Sequence, residues 1–97
     1  QEIRTRARQL IGGPQVIILD QTTVLVAFQT SRPVTSQIEY WQAGIPKYTL
    51  NVSATPQTFH QITLAGLRPK VTYSYHLLVW DEKGVLTLSP VYTFTLP

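Results

Sequence analysis

The residues of this chain with side chains suited to acid–base, metal or nucleophilic chemistry are few and scattered. His60 and His76 are its two histidines, its five carboxylates fall at Glu2, Asp20, Glu39, Asp81 and Glu82, and cysteine is absent. A metal site needs three or four ligands within reach of one another, and nucleophilic catalysis needs a nucleophile, a base and an orienting acid. No such set is suggested by spacing: there is no Gly-x-Ser-x-Gly, no glycine-rich phosphate loop and no His-Glu-x-x-His. Asp81 and Glu82 are adjacent, but they fall in a turn where neither is held or desolvated enough to divide acid from base roles. The two histidines lie on different strands and are expected in different sheets. His76 reads as a solvent-facing strand position beside Glu39, and His60, which alternates in series with Ile62 and Leu64, is equally unremarkable as a site. The chain is therefore expected to be no enzyme and to use no cofactor or metal.

The elements that would have to position any site come from a short, cysteine-free chain. Ninety-seven residues, 43% hydrophobic and 13% charged, suit one domain with one core that holds by packing alone. No apolar run approaches the roughly 20 residues of a membrane span, so no membrane insertion is expected. Of the net charge of +3, Arg4, Arg6 and Arg8 against Glu2 account for +2, which leaves +1 on residues 11–97. A body so nearly neutral lacks the clustered cations of a phosphate-binding surface, and nucleic acid is not an expected partner. Residues 1–13 combine those arginines with Gly12-Gly13 and read as a basic flexible linker, ordered only where Leu10 and Ile11 find a surface; a basic amphipathic anchor is the alternative. Gln1 in place of methionine, with no signal-peptide pattern, reads as a piece of a longer protein.

From Pro14 onward, short β-rich runs alternate with turn residues. Runs at 15–19, 22–30, 35–41, 47–54 and 58–64 are separated by Asp20-Gln21, Ser31-Arg32-Pro33, Gly44 to Pro46 and Thr55-Pro56. A strand through Tyr73, Tyr75, Leu77 and Val79 follows, with the two-residue period of one buried face. Asp81-Glu82-Lys83-Gly84 then reads as a hairpin turn with Gly84 in the left-handed region, and the return strand over 85–96 is interrupted by Pro90. Seven short antiparallel strands at such spacing predict an all-β, immunoglobulin-like Greek-key sandwich. The first, second and fifth strands would form one sheet. The expected core is Val16, Ile18, Val24, Val26, Phe28, Ile38, Tyr40, Ile62, Leu64, Tyr75, Leu77, Val79 and Phe94.

At Leu67-x-Pro69-x-x-x-Tyr73 the chain resembles a fibronectin type III domain of bacterial type. In that family a leucine ending one strand, a proline and a tyrosine starting the next form a tyrosine corner, so the resemblance implies a structural role for Leu67, Pro69 and Tyr73, with the Tyr73 hydroxyl bonded to backbone a few residues upstream. The likeness spans residues 14–97. Val34-Thr-Ser-Gln-Ile-Glu-Tyr40 and Ser89-Pro-Val-Tyr-Thr-Phe-Thr95 look most like bacterial members of the family and also resemble, more weakly, the sandwich that precedes the catalytic domain of purple acid phosphatases. Phe28 stands where the family usually has tryptophan and Val71 where it has a small residue, and there is no Arg-Gly-Asp triplet, so integrin binding is not implied.

If Tyr75, Leu77 and Val79 point inward, then His76, Leu78 and Trp80 point outward, with Leu78 and Trp80 expected beside Val91 as an apolar strip and Trp41 outward on its own strand. Leu78, Trp80, Trp41 and Arg32 are the candidate contact surface, either covered by a neighbouring segment or domain or open to a protein or carbohydrate ligand. Segments 31–36, 55–57 and 81–84 are expected at one end of the sandwich. Asn51-Val52-Ser53 is an N-glycosylation sequon. These features predict a monomeric, non-catalytic module of a larger extracellular, cell-surface or periplasmic protein, a spacer and interaction scaffold whose partners include neighbouring domains of its parent chain. The alternative is an accessory domain beside a metallophosphatase or a polysaccharide-degrading enzyme.

Overall fold

Inward residues at Val24, Val26 and Phe28 are followed, beyond Pro33, by a second inward series at Val34, Ser36, Ile38 and Tyr40. In the computed structural model, which describes residues 10–97, both series belong to one strand. The strands are β1 (Ile11–Asp20), β2 (Thr23–Trp41), β3 (Tyr48–Leu64), β4 (Thr72–Trp80), β5 (Leu86–Leu88) and β6 (Tyr92–Thr95). All pairings are antiparallel.

Two layers result because β2 and β3 each cross from one to the other. The first layer holds β1, residues 23–30 of β2 and residues 59–64 of β3, with Val26 opposite both Val16 and Ile62. Residues 36–41 of β2, residues 48–53 of β3, and β4, β5 and β6 make the second, with Ile38 opposite both Leu50 and Leu77. Where seven separate strands were expected there are six: the predicted breaks at Ser31–Pro33 and Thr55–Pro56 are crossings inside continuous strands, and the expected last strand is divided in two at Pro90. At the crossings the β2–β3 register shifts, between Gln29 and Val34 and again before Gln37, so the missing proline N–H groups fall where the ladder is already interrupted.

The sheet assignment of the sequence reading stands, but three expected core positions do not hold fully. Ile18 lies opposite Val24 yet is 44% exposed, and Val16 and Ile62 are only partly buried. Among the described residues β1 pairs only with β2, and none of them forms a second neighbour at this edge of the first layer. Leu10, Ile11, Val34, Leu67, Tyr73 and Leu96 join the core instead. Residues 11–13 of the expected linker are strand: Ile11 lies opposite Thr30, Gly12 opposite Gln29, and the apolar side chains of Leu10 and Ile11 are buried. Residues 1–9 of that linker lie outside the described residues.

Beyond β4, Gly84 takes φ 77° and donates its N–H to the Asp81 carbonyl at 2.9 Å, closing the predicted hairpin turn. Pro90 splits the return strand into β5 and β6, which pair with opposite ends of β4. At the split, the Ser89 N–H donates to the Leu77 carbonyl at 2.9 Å, and the Leu77 N–H donates to Ser89 Oγ at 2.8 Å. A hydroxyl thus satisfies the buried donor that the interrupted ladder leaves.

Candidate functional site

The corner between β3 and β4 is built from buried Leu67 and Tyr73, with Pro69 exposed between them. The Leu67 N–H donates to the Thr22 carbonyl at 3.0 Å, and the Arg68 N–H donates to Tyr73 Oη at 2.9 Å. The ring of Tyr73 stacks on Phe94 with centroids 5.6 Å apart. The phenol is held on both its polar and its apolar side.

His60 occupies a position that its sequence context does not advertise. It is fully buried, in the first layer beside the crossing, and its ring lies 4.6 Å from Phe28 at an interplanar angle of 6°. Thr30 Oγ1 is 3.0 Å from Nε2, while Ser53 Oγ and Ser36 Oγ are 2.7 and 3.0 Å from Nδ1. Thr30 spends its own proton on the Arg32 carbonyl at 2.8 Å, so it can only accept from the ring, and Nε2 carries the hydrogen. Nδ1 is then the acceptor for the Ser53 hydroxyl, whose oxygen in turn accepts from Gln57 Nε2 at 2.7 Å. Burial holds the ring neutral by lowering its pKa, against a smaller opposing effect of the Gln57 backbone. No buried side-chain donor or acceptor among the described residues lacks a partner. His60 therefore joins the layers, since Thr30 is in the first and Ser36 and Ser53 are in the second. It is committed to structure and presents no ring atom to solvent.

The outer face of the second layer carries the candidate contact residues. Thr35 lies opposite Trp80 and Gln37 opposite Leu78 on β2 and β4; Leu86 and Leu88 of β5 lie opposite Trp80 and Leu78. Leu86 and Leu88, 43% and 42% exposed, therefore complete the apolar patch, in place of the predicted Val91, because the split at Pro90 puts β5 alone beside the end of β4. Further along the face, His76 Nε2 is 2.6 Å from Glu39 Oε1, and Lys47 Nζ is 3.9 Å from the same oxygen. Trp41 packs edge-on against His76 with centroids 5.6 Å apart, and Lys47 Nζ sits 4.4 Å above the Trp41 ring. Trp41 thus shares a polar cluster, two rungs from the patch around Trp80. Arg32 is exposed at the crossing, and the pairings of Val34 with Gln57 and Thr35 with Trp80 bring segments 31–36, 55–57 and 81–84 to one end of the sandwich. Asp81 at that end accepts from the N–H groups of Val85 and Lys83, both at 2.9 Å, which with nearby Arg32 and Lys83 hold its carboxyl below the usual range.

Among the described residues no three His, Asp or Glu side chains converge as a metal ion would require, and no helix is long and apolar enough to cross a membrane. No family model matches the chain, and no curated protein matches it. Its similarity is to solved structures, mainly fibronectin type III domains. The FN5 domain of Drosophila Lar aligns with a TM-score of 0.70 at 18% identity, covering 90% of this chain and 94% of that one. The third fibronectin III domain of the human KIAA0343 protein aligns at 0.69 and 22%, covering 89% and 79%. A purple acid phosphatase from yellow lupin seeds aligns at 0.74 and 14%, covering 91% of this chain but only 19% of the phosphatase. The fold is that of a fibronectin type III domain.

Proposed function

We propose that this fibronectin type III sandwich is a non-catalytic module of a larger extracellular, cell-surface or periplasmic protein, and that it works as a spacer and contact scaffold through the outer face of its second layer. The observation that carries the reading is the patch of Leu78, Trp80, Leu86 and Leu88, four apolar side chains on one outer face of paired strands. Its histidines support it as well: His60 is sealed among three hydroxyls, and His76 is engaged by Glu39. Catalysis would need a general base free to reach a substrate.

A test compares amide and indole NMR shifts of the isolated module with those of the longer chain that contains it. Trp80, Leu86 and Leu88 are expected to shift in the longer chain. The double change Leu86→Asp and Leu88→Asp is expected to return the rest of the patch to its isolated shifts, with little change in stability at such exposed positions. Identical shifts for this face in both contexts would overturn the reading. The likeness to the phosphatase favours one specific version, in which the neighbour on the face is a hydrolase catalytic domain and the module is its accessory. A patch that shifts only when a catalytic domain is present would establish that version.

A further inference from the structure

Beside Trp80, the outer face sinks into a shallow depression of about 290 Å³ where β2, β3 and β4 meet. Its walls include Ser36 and Ser53, whose hydroxyls are engaged by His60, which leaves Thr35, Gln37, Asn51, Ala54 and Trp80 to meet a ligand. None of these carries a charge. The β2–β3 register shift between Ser36 and Gln37 makes Val52 an extra residue, so that Ser53 turns inward to His60 while Asn51 comes opposite Gln37. Gln37 Nε2 donates to Asn51 Oδ1 at 2.9 Å.

That bond fixes two amides against each other and leaves Gln37 Oε1 as an acceptor and Asn51 Nδ2 as a donor, neither with another partner among the described residues. Exchanging oxygen and nitrogen in both amides still leaves one free donor and one free acceptor. Such a pair suits two adjacent hydroxyls, each of which donates and accepts. One rung away, the half-buried indole of Trp80 stands opposite Thr35, and Leu78 stands opposite Gln37, so an apolar floor runs beside the polar pair. Two residues along a strand and one strand across amount to about 7 Å and about 5 Å, the scale of one hexose ring. Aromatic floor, amide pair, hydroxyl rim and no charge form a small set of convergent polar groups on an apolar base.

We infer that this depression binds a neutral pyranoside, with the apolar face of the sugar on Trp80 and two neighbouring hydroxyls on Gln37 and Asn51. The inference rests on the contact-module reading and gives its face a ligand class. Phosphate, sulfate and uronate groups find no counter-charge in the lining.

Titrating the isolated protein with cellohexaose, xylohexaose, maltohexaose and the N-acetylglucosamine hexamer, up to about 10 mM each, tests it. At least one sugar is expected to shift the Trp80 indole N–H and the side-chain amides of Gln37 and Asn51 while leaving the Trp41 indole in place. Trp80→Ala is expected to weaken that sugar by about tenfold or more, as for a central contact. Gln37→Ala combined with Asn51→Ala removes only surface groups and keeps the test open if Trp80→Ala does not fold; it too must weaken binding. No response to any of the sugars, a response confined to Trp41, or a response that survives these variants overturns the proposal. So does a polyproline peptide that shifts Trp80 where no sugar does. Each of these leaves the contact-module reading standing if Leu86 and Leu88 still shift in the longer chain.

Discussion

His60→Ala is expected to lower the unfolding free energy by about 3–4 kcal/mol, a large share of the roughly 5–15 kcal/mol that holds a domain of this size together. Two losses add. The ring is fully buried and stacked on Phe28, so its removal leaves a cavity that the surrounding strands close only in part. It also strands the hydroxyls of Ser36 and Ser53, two nearly fully buried residues that each lose their ring partner. Thermal unfolding should move down by roughly 15 °C. Adding Ser53→Ala to His60→Ala should cost less than Ser53→Ala does alone, because the partner of that hydroxyl is already gone; additive losses would mean that the network stabilises nothing as a unit.

The same ring sets a pH dependence. Burial lowers its folded-state pKa below the ordinary 6.5, so the unfolded chain takes up a proton over a range in which the folded chain does not. Stability from this group is fully present above about pH 6.5, falls as the pH drops toward the folded-state pKa, and levels off below it. The carboxyls of Asp20 and Asp81 are held below the ordinary aspartate value by backbone N–H groups, so their contribution fades only at lower pH. Urea midpoints measured from pH 7.5 to pH 5 should therefore decline in the native protein and flatten in His60→Gln. An equal slope in both would assign the effect elsewhere.

Why His60 was hard to see in the sequence, while the sandwich was not, follows from what alternation encodes. A period of two specifies which side of a strand a residue faces, and on β4 every inward position from Tyr73 to Val79 is buried. It places His60 on the inward side as well, in series with Ile62 and Leu64. It cannot say that Thr30, Ser36 and Ser53 converge there, because they lie 30, 24 and 7 residues away and meet only where β2 and β3 cross between layers. Three small hydroxyl residues at inward positions near one inward histidine are the available signal. Alternation also says nothing of cover, which is why Ile18 points inward and stays exposed on an edge strand. The contact face shows the same limit. Parity puts Leu78 and Trp80 outward, but their neighbours depend on where the return strand breaks, and the Ser89 bonds to Leu77 move the partners from Val91 to Leu86 and Leu88.

Tyr73 offers the other large effect, and one in which polar and apolar contributions separate cleanly. Tyr73→Phe keeps the ring against Phe94 and removes only the hydroxyl, leaving the Arg68 N–H without its acceptor. Arg68 is exposed, so water can replace that acceptor, and the loss should be near the ordinary net value of a hydrogen bond, about 1–1.5 kcal/mol. Tyr73→Ala removes the ring from the core as well and should cost about 3–5 kcal/mol, close to what the fold can spare. Amide exchange adds a readout that a general loss of stability does not mimic: in Tyr73→Phe, the Arg68 and Leu67 amides should lose protection while those of Leu77 and Val79 keep theirs after correction for global stability. If exchange rises equally along β4, or if Tyr73→Phe matches the native protein within about 0.3 kcal/mol, the hydroxyl does not pin the crossover and the corner is held by apolar packing alone. The chain enters β4 through Lys70 at φ 64°, a left-handed conformation that a lysine adopts only under constraint. The hydroxyl bond to Arg68 and the Leu67 bond to Thr22 fix the backbone just ahead of that residue, and the buried Tyr73 ring fixes it just after, which is why both halves of the tyrosine are expected to count.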